Sequence, residues 1–340
     1  MSKIKIILAG LLFIMGAVGC IPKDKRVEVD HADAGTAVAG EIQFKDISVG
    51  YCTPSLNAPF YVALEQAIKN KARSYGMQYL STDGQGDIAK QVMAVEDLLA
   101  RDIDILILNP LDPKALAPIV QAADQKGVPV FIVDSYIDDS SPFTGAVFAN
   151  NELNGEILGE WLVRTAGNKE LKIALISGNQ GNPVGREKRL GFIKGLADAQ
   201  LHNYGKLNFK VVAQGWGGWS NNGGLKAMED ILVAHPDVNV LLAENDDMAI
   251  GALNAITEMG RQDKITILGF DAQKEALQLI IDGKYAATAQ NSPSILGISI
   301  VDVVAKYLND KESIKRIDYT PSLLIDKSNA GRYYDPRALF

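Results

Sequence analysis

The sequence is poor in the residues that most chemistry needs. It has only two cysteines in 340 residues, Cys20 and Cys52, too few for a disulfide framework. Its three histidines, His31, His202 and His235, are scattered without a helical i, i+4 pair, which removes the usual zinc and histidine-based catalytic arrangements. No G-x-x-x-x-G-K-[ST] run occurs. The glycines of "GWGGWSNNGG" do not form G-x-G-x-x-G, and two tryptophans crowd the place where a pyrophosphate would need close backbone approach. "DGQGD", from Asp83, lacks the Glu that closes a calcium loop. Basic excess is also missing: a formal charge of −7 and a pI near 5.1 exclude a nucleic-acid surface. No enzymatic activity, metal or cofactor is therefore expected.

Long apolar runs are scarce too. The only candidate is at the N-terminus, "MSKIKIILAGLLFIMGAVGC", where two lysines precede an apolar stretch from Ile6 to Val18, too short for a stable transmembrane helix. It reads as a secretion signal over residues 1–19. The Cys after a small residue resembles the lipobox of bacterial lipoproteins, with Ala17 where Leu is more usual, so Cys20 is expected to be lipidated. Residues 20–45 are polar, Gly- and Ala-containing and without period, which suits a flexible tether. Cys52 then stands alone in the apolar "ISVGYC" and reads as a small buried hydrophobe rather than a catalytic thiol.

The whole chain is 47% hydrophobic, enough to bury one or two ordinary cores. From Ile47 onward short apolar runs alternate with helical patterns. "ISVGY" precedes Tyr61, Leu64, Ile68 and Ala72 at helical spacing, and Ile88, Val92, Val95 and Leu99 precede "DILILN". "VPVFIVD", "KIALIS", "FKVVA", "VNVLLA" and "ITILGF" follow as nearly continuous apolar runs, the signature of strands buried on both faces. The expected class is α/β with parallel sheets.

Ligands of open α/β sheets bind beyond the carboxyl ends of the strands. Those ends carry Asn57 beside Phe60 and Tyr61, then Asn109, Asp134, Asn245 and Asp271. Each alone would serve equally well as a helix cap or turn residue. Five in succession, with rings beside the first, favour a shared polar site.

"SLNAPFY", "DGQGDIAKQ", "LILNPLDP", "VPVFIVD", "GREKRLGF", "AENDDMAIGAL" and "ILGFDA" resemble, in order and spacing from about Ile47 to Leu324, the ribose-type family of periplasmic sugar-binding proteins. The resemblance implies two similar Rossmann-like domains joined by a three-segment hinge near Asn150, Asn291 and Pro321, with the ligand enclosed between them. The lobes would then comprise 46–149 plus 292–321, and 150–291 plus 322–340. A sugar presents apolar C–H faces and polar edges, so rings against the faces and Asp, Asn or Arg at the rim suit it. The resemblance makes Phe60, Tyr61 and Trp219 candidate plates and Asp134 and Asp271 acceptors for adjacent hydroxyls. Arg186 would donate from the second domain, Asn245 would use both ends of its amide, and Asn291, with Gln290 as the shifted alternative, matches a position usually held by Gln.

Two departures stand out. Many members have Asn just before the Pro where this chain has Ala58, leaving Asn57 one residue earlier. Many have Asp-Arg where this chain has Asp134-Ser135, and Ser cannot replace the bidentate fork of an Arg. Another small polyol is expected instead of ribose: a hexose, a pentose of different configuration, or a cyclitol such as inositol. The implied role is that of an exported, membrane-anchored, monomeric lipoprotein delivering ligand to the permease of an ABC importer. The alternative is a sensor that reports a sugar or furanosyl signal molecule to a membrane receptor. A sugar-responsive repressor is excluded by the secretion signal. The segment from Arg332 to Phe340 extends past the last expected strand and is expected to pack along a domain surface.

Overall fold

The computed structural model describes residues 44–340. The expected signal over 1–19, the lipidated Cys20 and nearly all of the 20–45 tether lie outside the described residues. From there the chain runs β1 (Ser48–Thr53), α1 (Pro59–Ser74), β2 (Gln78–Asp83), α2 (Ile88–Ala100), β3 (Ile105–Leu108), α3 (Ala117–Gln125), β4 (Val130–Val133) and β5 (Gly145–Ala149). It continues as α4 (Asn151–Ala166), β6 (Leu171–Ser177), α5 (Pro183–Tyr204), β7 (Phe209–Trp216), α6 (Asn221–Ala234), β8 (Val240–Ala243), α7 (Asp246–Glu258), β9 (Thr266–Phe270), α8 (Lys274–Ile281) and β10 (Ala287–Ala289). It ends with α9 (Pro293–Asn309), β11 (Ile317–Thr320), β12 (Leu324–Asp326) and α10 (Ala330–Tyr333).

Two six-stranded sheets result. Their orders are β11-β5-β4-β3-β1-β2 and β12-β10-β9-β8-β6-β7, so each half repeats one winding in which the second strand lies outside the first. The first sheet is parallel throughout, and in the second only β12 is antiparallel, to β10. The chain passes between the sheets after Ala149, after Ala289 and after Thr320.

The central strands β3, β4 and β8 are buried along their whole length, because helices cover both faces. Edge strands behave differently. β7, which contains the apolar "FKVVA", was expected to be buried on both faces but is a half-exposed edge with Val211 43% exposed. β2 lies at the other sheet's edge, and its polar "QYLSTD" carries no hydrophobic signal for that reason.

Helix phase follows from local chemistry. α1 starts on Pro59, whose missing N–H costs nothing in a first turn, and buries Ala63, Leu64, Ile68 and Ala72 along one stripe. This phase leaves Phe60 and Tyr61 at its N-terminus, half-buried. α4 and α5 cross backbone to backbone. A Cβ added at Gly155 would stand 2.5 Å from the carbonyl oxygen of Lys188, so only glycine allows the approach that fixes this turn of α5. Cys52 is fully buried, and burial pushes its thiol up to about 11, which leaves it a packing residue.

Candidate functional site

The carboxyl ends of the two sheets face each other across a cleft. Ala58, Phe60 and Tyr61 reach it from the β1–α1 turn, and Asp134 and Ser135 from the end of β4. From the second lobe come Asn182, Val184 and Lys188 of the α5 start, Trp219 before α6, Asn245 after β8 and Asp271 after β9. Asn291, in the second crossing between the sheets, closes the floor. Three of these residues hold left-handed backbone: Asp134 (φ 65°), Trp219 (φ 62°) and Asp271 (φ 105°). Such conformations cost on the order of 1–3 kcal/mol each and persist only where their surroundings enforce them.

Buried hydrogen bonds define the electrostatics. Asp134 Oδ2 accepts from Asn109 Nδ2 at 3.0 Å. Asp271 Oδ1 accepts from Lys188 Nζ at 3.0 Å and from Asn291 Nδ2 at 3.2 Å. Lys188 also donates to the Glu244 carbonyl at 2.9 Å, and its ammonium lies 5.6 Å from the Trp219 ring centre and 5.0 Å from that of Phe270. Two carboxylates and one ammonium leave the cleft with an excess of negative charge. Burial pushes the Asp134 carboxyl up to about 6, against the opposing pull of the Asn109 amide and the Lys188 charge. Burial also raises Asp271, with Lys188 and Asn291 opposing.

Supporting residues hold the second wall. Buried Asp246 accepts from the Gln273 amide at 2.9 Å, Thr288 Oγ1 at 3.0 Å and Tyr285 Oη at 2.7 Å, which anchors the turn carrying Asp271. Its own carboxyl is pushed up to about 7, first by burial and then by Asp271. Glu244 accepts the Gly178 amide at 2.8 Å and pairs with Arg189. The Trp219 indole lies against Gly178 so closely that an added Cβ there would come within 1.9 Å of it. Across the lobes, Tyr136 Oη donates to Glu187 Oε2 at 2.6 Å.

The structure brings Phe60, Tyr61, Asp134, Ser135, Trp219, Asn245, Asp271 and Asn291 to one cavity and sets the remaining candidates aside from it. Asn57 is exposed and lines the outer mouth. Asn109 sits fully buried behind Asp134 and acts through it. Gln290 is outside the cavity lining, and its carbonyl accepts from Asn154 Nδ2 at 2.9 Å. Arg186 corrects the sequence reading: it is exposed, and the cation in the cleft is Lys188. Helical phase is the reason, since residues 184 and 188 share a face, whereas 186 lies about 200° around from both. The buried series Val184, Lys188 and Phe192 carries that phase, so the residue was within reach of periodicity. Asn245 does use both ends of its amide, but on the protein: Oδ1 caps α7 by accepting from Met248 N at 2.9 Å, and Nδ2 donates to the Trp219 carbonyl at 3.2 Å.

Comparison with known proteins identifies the family and the fold. Residues 49–312 match the model of the periplasmic binding protein domain. The ribose import binding protein of Bacillus subtilis (strain 168) is 33% identical over 273 residues, covering 80% of this chain and 85% of that protein. Among solved structures, an ABC transporter solute binding protein from Mycobacterium smegmatis with bound glycerol shares 34% identity at a TM-score of 0.79, covering 86% of this chain and 98% of that one. A Caulobacter myo-inositol binding protein bound to myo-inositol shares 26% identity at a TM-score of 0.77, covering 86% and 97%. The chain belongs to the ribose-type family of periplasmic binding proteins, whose members here are substrate-binding proteins of transporters and not enzymes.

Proposed function

We propose that this protein captures a neutral monosaccharide or sugar-like polyol, of the hexose, pentose or cyclitol class, and hands it to the permease of an ABC importer. The observation that carries this reading is the convergence of Asp134 and Asp271 from opposite lobes on one cavity flanked by Phe60, Tyr61 and Trp219. Carboxylates accept paired hydroxyls in a plane, and rings cover the C–H faces between them. The Asn291 Oδ1 atom, buried without a hydrogen-bond partner among the described residues, offers a further acceptor. The negative balance of the cleft disfavours a sugar phosphate. Small neutral side chains at Ala58 and Ser135 leave the first wall without a guanidinium fork, which supports a ligand other than ribose. Closure gains contacts from both lobes at once, so ligand shifts the population toward the closed form that a permease would read.

In this reading the protein is exported and monomeric, and Cys20 carries the lipid that holds it at the membrane. Incorporation of labelled fatty acid, lost in Cys20→Ala, tests that anchor. The ligand class is tested by a thermal-shift screen of the chain without residues 1–20 against pentoses, hexoses, hexitols and inositols. At about a hundredfold over its dissociation constant a ligand adds roughly 2.7 kcal/mol, a shift of several degrees. Silence across the panel would refute the polyol reading.

A further inference from the structure

The covalent chain joins the lobes only at the hinge, through the crossings after Ala149, Ala289 and Thr320. The segment after α10 makes a separate connection. It starts on the second lobe, where Ala330 is buried in the core and Tyr334 packs against it. Lys274 Nζ, on the first turn of α8 in the same lobe, donates to the Ala338 carbonyl at 2.7 Å. Two residues later the chain is on the first lobe. The Phe340 ring packs edge-on against Phe60, 5.5 Å between centres at 89°. Ala338, Leu339 and Phe340 share a depression there with Ala63 and Ala67 of α1 and Ile298 of α9.

Phe60 is the point of contact that matters. It lines the cleft, packs edge-on against Tyr61 at 5.7 Å, and touches the first-lobe core. Phe340 therefore presses on a ring that faces the cavity, while its own segment is tied to the opposite lobe. We propose that residues 335–340 form a strap that favours the closed form, with Phe340 as a positioning residue that holds Phe60 against the bound ligand. One ring pair and one hydrogen bond make a tie weak enough to release when the lobes open. The strap spans the lobes in the conformation described, with both walls of the cleft in place, so its loss is expected to fall on ligand departure.

The strap rests on the reading of the cleft as the ligand site, so its test has one readout that needs no ligand. Phe340→Ala and Lys274→Met are made in the full chain. The distance between the lobes is measured by electron–electron resonance from spin labels at Glu96→Cys and Glu229→Cys, both exposed positions on opposite lobes. Dissociation and association rates are measured by stopped flow with the strongest stabiliser from the polyol panel. Both variants should widen the ligand-free distance distribution and raise the dissociation rate by about fivefold, with association changed less than twofold. Phe340→Tyr, which keeps the ring, should restore both readouts. Unchanged distances and unchanged dissociation in Phe340→Ala and Lys274→Met would overturn the strap. If no polyol binds, the functional reading fails and the lobe distances alone decide the strap, with widening supporting it and no change rejecting it. Should Phe340→Ala fail to fold, Lys274→Met carries the same test from the other end.

Discussion

The two walls of the cleft are built on opposite plans. In the second lobe two of the lining polar groups are already engaged by the protein: Lys188 is shared between Asp271 and the Glu244 carbonyl, and Asn245 is consumed by a helix cap and the Trp219 carbonyl. The first lobe holds its groups more loosely. Among the described residues the Tyr61 and Ser135 hydroxyls have no hydrogen-bond partner, whereas the two carboxylates are alike in being held through one oxygen, Asp134 Oδ2 by Asn109 and Asp271 Oδ1 by Lys188 and Asn291. A pre-wired wall offers a rigid plate and a fixed charge, whereas unsatisfied hydroxyls wait for ligand atoms. Groups already held by the protein thus line the second lobe's wall, and hydroxyls without protein partners line the first lobe's.

The sharpest way to break this comparison is to remove the anion of each wall in turn. Asp271→Asn removes one partner of a buried ion pair, and it should cost on the order of 3–5 kcal/mol of stability as well as most ligand affinity. Chemical denaturation of the ligand-free protein reads the first and titration calorimetry the second. Asp134→Asn should cost about 1.5–3 kcal/mol of affinity, the range for hydrogen bonds to a charged group, while ligand-free stability at pH 7.5 is retained. Equal stability losses in the two variants would erase the distinction between the walls.

The pH dependence sharpens the same point. Folding raises Asp134 to about 6 and Asp246 to about 7 from an ordinary value of 3.8, so between those limits the native state binds more protons than the unfolded chain. These two groups therefore make the ligand-free protein less stable as pH rises from about 4 to 7, and denaturation midpoints across that range should reveal it. Ligand hydroxyls favour the ionised Asp134, so affinity should move the opposite way and fall as pH drops below about 6. Asp134→Asn should remove most of that dependence. Titrations at pH 5 and 7.5 that give the same slope in both proteins would exclude Asp134 as its source.

Smaller effects follow from the plate and the outer surface. Trp219→Ala should weaken binding by about 1 kcal/mol beyond the area it covers, read by calorimetry against an unchanged panel ligand. Arg186→Ala should leave affinity within about 0.5 kcal/mol of wild type, since its side chain faces solvent. A larger loss would return the second-lobe cation to Arg186.

Much of this was legible in the residues alone, and unevenly so. Uninterrupted apolar runs revealed β3, β4 and β8 because strands covered on both faces have no reason to alternate. β2 escaped for the converse reason, as an edge with few apolar side chains to show. Strand-end Asp134 and Asp271 were readable by position, because the winding sends these ends to the cleft. Arg186, which the resemblance names, lies on the solvent side of α5 because it is rotated away from the buried Val184 and Lys188, and Lys188 itself sits in a run of charges that reads as a solvated face. The bond from Asn245 Nδ2 to the Trp219 carbonyl and the reach of Phe340 to Phe60 depend on where distant segments meet, which no local pattern encodes.

The central claim is that one neutral polyol is held between the two walls by both carboxylates. It is tested most directly by the crystal structure of the complex with the strongest stabiliser from the polyol panel. The expected result is ligand hydroxyls within about 3 Å of carboxylate oxygens of both Asp134 and Asp271, with Trp219 and Tyr61 on its faces. A ligand bound outside this cleft, or one that touches neither Asp134 nor Asp271, would contradict it.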